Sequence, residues 1–317
     1  MFFFLLMISL GFLLLVIGAK YLVKGSSNLA TKFHIPEMLI GLTIVALGTS
    51  APELIITIFS AQTDSTDLII GNALGSNFCN ILLILGLMAL ISPIKTNNET
   101  KFIHIPIALL STVVLFIMQL LNLGSTSSSI NRIDGIILIV LFLLYFSYPI
   151  VVEIKDIINS YKENKNKHSD INILSSIFMV ILGIVLLKYG GDFVVDNASN
   201  IARFFSISER VIGSTIVAIG TAMPELITSI LAVIRKDTDL AIGNLVGSCV
   251  LNILLILGVG SVITPLSFSN EFSQNILYLI FCTFIVWVFN FVGKKNTFTR
   301  FKGICLLALF SFYILSL

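Results

Sequence analysis

Apolar runs of about 20 residues, the length a helix needs to cross the hydrocarbon of a bilayer, recur along nearly the whole chain. Ten can be drawn, at roughly 2–23, 37–60, 68–92, 102–122, 133–152, 173–195, 211–234, 239–263, 272–292 and 303–317. The pattern predicts an all-α membrane protein with ten transmembrane helices. The first run lacks the basic start of a secretory signal and is kept as a span. The largest hydrophilic stretch, Glu153 to Asn172, reads as a short charged cytoplasmic linker between two five-helix halves, 1–152 and 173–317.

Those halves repeat each other. Gly18 to Ile94 aligns without a gap on Gly190 to Leu266 at a constant offset of 172, with roughly half of the positions identical. The densest blocks are VALGTSAPEL (Val45 to Leu54) against VAIGTAMPEL (Val217 to Leu226), and GNALGSNFCNILLILG (Gly71 to Gly86) against GNLVGSCVLNILLILG (Gly243 to Gly258). They lie in matched segments, 41–86 and 213–258, and place carboxylates, hydroxyls and amides inside otherwise apolar spans. Polar groups kept in duplicate at membrane depth point to a pair of half-sites.

Composition agrees with a membrane protein. Only 11% of the residues are charged, against about a quarter in soluble domains, and the mean hydropathy is +1.03. No soluble domain fits, with seven prolines and no long polar block. Cys79, Cys249, Cys282 and Cys305 all fall in apolar runs without ligand-type spacing, so they read as small buried hydrophobes. His34, His104 and His168 lie near span ends or in the linker, which argues against a histidine metal site. The net charge of +2 names no partner by itself; the expected partner is the lipid bilayer, and nucleic acid is not expected.

The basic residues set an orientation. Thirteen Lys and Arg residues, from Lys32 to Lys302, fall in the loops after spans 1, 3, 5, 7 and 9. Only Arg132, Arg203 and Arg210 fall on the other side. By the positive-inside rule both termini lie outside, in a multi-pass protein of the cell membrane. Five spans separate equivalent positions, so the second half threads the membrane upside down and the repeat is inverted. Lys20 and Lys24 become Asp192 and Asp196 in the second half, as suits opposite faces.

The candidate chemistry sits in spans 2, 3, 7 and 8. Pro52 cannot donate a backbone bond to Gly48, nor Pro224 to Gly220, so helices 2 and 7 must break. Such breaks expose carbonyls, as of Ala46, Thr49, Ala218 and Thr221, and are tolerated at membrane depth where they line a cavity or are buried in protein. Glu53 and Glu225 follow the prolines directly, with no Lys or Arg at matching depth in these spans. Two such acids call for a bound cation or for protonation. Ser76 and Asn80 stand four apart, as do Ser248 and Asn252, so each pair points from one helix face. Gly71, Gly75, Gly243 and Gly247 form small-xxx-small patterns for close helix packing. Oxygen donors with no thiolate or imidazole suit hard cations: Ca2+ takes six to eight oxygens, and Na+ can use the same atoms in smaller groups.

At these residues the chain resembles the sodium/calcium exchanger family, whose two repeats carry GTSxPE and GNxxGSxxxN-type motifs. The resemblance is to a minimal prokaryotic member without a large regulatory loop. It implies that the ion ligands are Ala46, Thr49, Ser50, Glu53, Ser76 and Asn80 from the first half, and Ala218, Thr221, Glu225, Ser248 and Asn252 from the second. It further implies exchange of about three Na+ for one Ca2+ by alternating access, with no cofactor and no enzymatic activity, in a chain that works as a monomer. Two departures stand out. Ala222 occupies the match of Ser50, so one hydroxyl is missing, and Asn252 stands where potassium-dependent relatives have Asp, which implies that potassium is not carried. A proton-coupled exchanger using the same glutamates is an alternative; a cation channel is another, and an intramembrane hydrolase lacks the residues it would need.

Overall fold

The computed structural model describes residues 2–121, 129–164, 171–206, 218–293 and 296–316. In chain order the helices are α1 (Phe2–Phe33), α2 (Glu37–Thr49), α3 (Ala51–Gln62), α4 (Thr66–Ile91), α5 (Thr100–Leu121), α6 (Arg132–Asn164), α7 (Ile173–Phe204), α8 (Ala218–Thr221), α9 (Met223–Ile234), α10 (Thr238–Ile263), α11 (Asn270–Phe289) and α12 (Arg300–Ser316). Among the described residues six of them are long and apolar enough to cross a membrane, or seven if the bent pair α2 and α3 is one span. The protein is a helical membrane protein. The start of the seventh expected span, 211–217, lies outside the described residues.

Several helices outrun their apolar cores. The expected linker is helical as far as Asn164, because 150–164 holds no Gly or Pro to end the helix where the hydropathy falls. Likewise α1 and α7 are 32 residues each, about 48 Å at 1.5 Å per residue, whereas their apolar runs end near 23 and 195. Hydropathy locates the greasy part of a helix, not its end. Four two-residue strands also escape the apolar pattern: β1 (Ile94–Lys95) pairs antiparallel with β4 (Thr297–Phe298), and β2 (Ser129–Ile130) with β3 (Leu266–Ser267).

The residues fall into two compact units, one drawn from Met1–Thr49, Tyr148–Leu245 and Tyr313–Leu317, the other from Ser50–Ser147 and Val246–Phe312. In the first, α1 and α7 pack antiparallel over much of their length. A Cβ built on Gly11 would stand 2.8 Å from the Gly190 carbonyl oxygen, one on Gly18 2.9 Å from that of Gly183, and one on Gly25 2.8 Å from that of Ser176. Only hydrogen fits along this seam. The same unit holds the crossing of α2 and α10, where a Cβ on Gly41 would lie 2.5 Å from the Leu240 carbonyl and one on Gly243 2.5 Å from that of Met38.

The second unit contains both strand ladders. Its α3 packs on the first half of α4 and on Leu257–Ile263 of α10. Gly86 of α4 meets Gly303 of α12, and Gly258 of α10 meets Gly135 of α6. The loop before α12 is tied down by a 2.7 Å bond from the Thr96 hydroxyl to Asn290. Gly71 departs from its expected packing role: the nearest atom to a Cβ there is Phe272 Cε1 at 4.0 Å, an ordinary contact.

Candidate functional site

Both predicted breaks are present, and each falls at a single residue. Ser50, between α2 and α3, has φ −88° and ψ 7°; Ala222, between α8 and α9, has φ −81° and ψ 0°. This is the sparsely allowed bridge region where many active-site residues sit, and the two residues are 172 apart. Pro52 and Pro224 therefore stand in the first turn of new helices, where no donor is missed. The Ser50 carbonyl accepts the Leu54 N–H at 3.2 Å and the Ala222 carbonyl that of Leu226 at 2.9 Å. Of the carbonyls expected to be loosened, that of Ala46 accepts the Thr49 hydroxyl at 3.3 Å. Gly48 and Gly220 allow the breaks to approach α7: a Cβ on Gly48 would meet Ile184 at 2.6 Å, and one on Gly220 would collide with the Val195 side chain.

Glu53 and Glu225 occupy the first turns of α3 and α9, where the helix N-terminus favours negative charge. They are 1% and 2% exposed. Removing two carboxylates from water so fully is costly unless their charge is answered.

In the second unit Ser50, Glu53, Ser76, Asn80, Ser248 and Asn252 are all buried. The Ser50 hydroxyl donates to that of Ser248 at 3.0 Å. Asn252 donates its amide to Asn77 Oδ1 at 3.0 Å, and Asn77 donates to the Cys249 carbonyl at 3.2 Å. Both Asn80 and Asn252 start or adjoin the start of a wide π-helical turn, Cys79–Ile84 in α4 and Asn252–Ile256 in α10, a deviation frequent at functional sites. Ser76 Oγ, both amide atoms of Asn80, Asn252 Oδ1 and Thr57 Oγ1 are buried without a hydrogen-bond partner among the described residues. Buried polar atoms are nearly always paired, so this concentration requires an explanation.

In the first unit lie Ala46, Thr49, Ala218, Thr221 and Glu225. Ala218 opens the short helix α8. The Thr49 hydroxyl also lies 3.1 Å from Asn244 Oδ1, and Asn244 donates to Ser229 Oγ at 3.0 Å. All three side chains are fully buried. Asn77, Asn244, Ser229 and Thr57 were not among the candidates from sequence. For Asn244 and Ser229 the signal existed, since they match Asn72 and Thr57 in the repeat. Asn77 matches Cys249, and the repeat gives no hint of it.

Carboxylate, hydroxyl and amide oxygens are the donor set of hard cations. Among the described residues no group of three His, Cys, Asp or Glu side chains could hold a metal ion, so the softer metals that want nitrogen or sulfur find no cluster there.

Apolar helices, two of them interrupted beside deeply buried acids, place the chain among membrane proteins with a polar interior. The model of the sodium/calcium exchanger protein family matches residues 3–151 and 175–317, and the chain belongs to that family. It is 34% identical over 289 residues to the inner membrane protein YrbG of Escherichia coli, covering 87% of this chain and 86% of that one. It is 28% identical over 345 residues to the sodium/calcium exchanger MaX1 of Methanosarcina acetivorans, covering 98% and 97%. Among solved structures, the sodium-calcium exchanger NCX_Mj soaked with 10 mM Na+ and zero Ca2+ superposes with a TM-score of 0.83 at 31% identity, over 99% of this chain and 98% of that one.

Proposed function

We propose that this chain is an antiporter exchanging about three Na+ for one Ca2+ by alternating access, without potassium, at a centre built on Glu53 and Glu225. Thr49, Ser50, Ser76, Asn80, Thr221, Ser248 and Asn252 supply side-chain oxygens, and Ala46 and Ala218 supply carbonyls. The observation that carries this reading is the pair of buried carboxylates at matched helix breaks. The unpartnered oxygens of Ser76, Asn80 and Asn252 agree with it. Two negative charges match one Ca2+, and an empty, doubly charged site is too costly to carry across a low-dielectric layer, so exchange is obligatory.

The architecture that serves this is ten spans in two inverted five-helix repeats, 1–152 and 173–317, with both chain ends outside. The antiparallel packing of α1 on α7 supports it: the contact of Gly11 with Gly190 maps, under the offset of 172, onto that of Gly183 with Gly18. Family membership and likeness to exchangers of known name support the substrates. The working unit is a single chain in the cell membrane.

The test is uptake of labelled Ca2+ into vesicles loaded with Na+ and diluted into sodium-free medium. Uptake should need internal Na+ and should vanish in Glu53→Gln and Glu225→Gln. Wild-type uptake in either variant would remove the assigned site. Uptake driven by a pH gradient alone would make the carried counter-ion a proton.

A further inference from the structure

Asn252 and Asn80 occupy matched positions of the repeat, yet only one of them is held. The chain of bonds at Asn252 begins on the backbone. Asn77 donates its amide to the carbonyl of Cys249 at 3.2 Å, and a carbonyl accepts only. The Asn77 amide therefore cannot turn over without setting oxygen against oxygen. With that end fixed, Asn77 Oδ1 faces Asn252 and accepts its amide N–H at 3.0 Å. Asn252 Oδ1 is left on the far side, buried and without a hydrogen-bond partner among the described residues. In the other half the residue matched to Asn77 is Cys249, a thiol in place of an amide. Neither Asn80 Nδ2 nor Asn80 Oδ1 has a hydrogen-bond partner among the described residues.

We propose that Asn77 is a positioning and specificity residue: it reads position 252 as a hydrogen-bond donor, holds the Asn252 oxygen toward the ion, and opposes a carboxylate there. The inference rests on the ion site proposed above. A carboxylate at 252 would have no proton for Asn77 Oδ1 and would set two oxygens about 3 Å apart in a site where water cannot intervene. The number of negative charges at the centre is thus limited to the two glutamates by a residue that itself touches no ion. Asn80, without such a hold, is the adaptable ligand of the pair, whose amide can turn as the site changes occupant.

The experiment measures the Ca2+ half-saturation concentration of Na+-driven uptake in four proteins: wild type, Asn77→Leu, Asn252→Asp, and the double variant. Asn77→Leu keeps the branched shape and removes both bonds. It should raise the half-saturation concentration about tenfold, the worth of one hydrogen bond, while the maximal rate stays within about twofold. Asn252→Asp should cost about tenfold in the wild-type background and less than about threefold in the Asn77→Leu background, because the opposing oxygen is gone. An equal cost in both backgrounds, or an unchanged half-saturation in Asn77→Leu, overturns the inference. If Asn77→Leu fails to fold, Asn77→Ala serves, since it too removes both bonds and should raise the half-saturation alike. Asn252→Ala separates the two failures: wild-type uptake in that variant sinks the proposed ligand set itself, whereas crippled uptake beside an indifferent Asn77→Leu sinks only the role of Asn77.

Discussion

The hydroxyl of Ser50 donates to the hydroxyl of Ser248 across 3.0 Å. The matched positions are Ala222 and Ser76, so the repeat cannot form this pair twice, and Ser76 Oγ is buried without a hydrogen-bond partner among the described residues. The Ser50 hydroxyl is one of the proposed ion ligands. Ala222→Ser restores the missing hydroxyl and should lower the Na+ concentration that half-inhibits Ca2+ uptake by a few fold, about one neutral hydrogen bond's worth. Ser50→Ala should raise it by a similar factor. On the proposed site, where two carboxylates carry most of the Ca2+ affinity, that affinity should move less in both, as read by competition in the same vesicles.

Asn244 joins Thr49 to Ser229 within one fully buried network. Asn244→Leu leaves the Thr49 hydroxyl with only the Ala46 carbonyl as acceptor and takes the amide donor from Ser229, whose buried hydroxyl loses about 1–3 kcal/mol. The expected result is a lower melting temperature of the purified protein together with weaker Na+ competition, because the Thr49 hydroxyl is no longer aimed. Ser229→Ala removes only the far end and should be milder on both measures.

Two glycines at matched positions of the repeat, Gly71 and Gly243, differ sharply in their surroundings. Gly243→Ala drives a methyl to 2.5 Å from the Met38 carbonyl, and overpacking against rigid backbone costs about 1–3 kcal/mol or more. Gly71→Ala, at the matched position, meets nothing closer than 4.0 Å. It should be neutral or mildly stabilising, by up to about 1 kcal/mol of helix propensity. Melting temperatures of the two variants in detergent, side by side, check this.

The proposed exchange of about three Na+ for one Ca2+ would move one net positive charge per cycle. At about 2.3 kcal/mol per charge per 100 mV, a potential of 100 mV should shift the limiting Ca2+ gradient about fiftyfold. Vesicles clamped with potassium and valinomycin at several potentials would report it. A gradient indifferent to voltage would mean an electroneutral ratio.

The hydropathy pattern and the internal repeat carry most of this in the sequence itself. Pro52 and Pro224 announce the breaks, because a missing donor is a local fact of the chain. Glu53 and Glu225 stand out because charge is rare in apolar spans. What stays hidden depends on distance in space rather than along the chain. The π-helical turns at Cys79–Ile84 and Asn252–Ile256 leave no local mark, since their residues, CNILLI and NILLI, look like any buried helix. The Thr49–Asn244–Ser229 link spans 195 positions at its longer step. The short ladders β1–β4 and β2–β3 are too brief to leave an alternating pattern. Helix ends past residues 23, 152 and 195 escape the pattern because hydropathy falls where the apolar stretch stops, while backbone hydrogen bonding runs on.

The side-chain-free seam between α1 and α7 has a mechanical consequence. Glycines at 11, 18 and 25 face carbonyls of the other helix with no room for even a methyl group, so the two rods interlock backbone to backbone at three points one heptad apart. A strut assembled in this way has one seating. Any shift of one rod must therefore carry the other with it, and a lone methyl at Gly18 would unseat the pair.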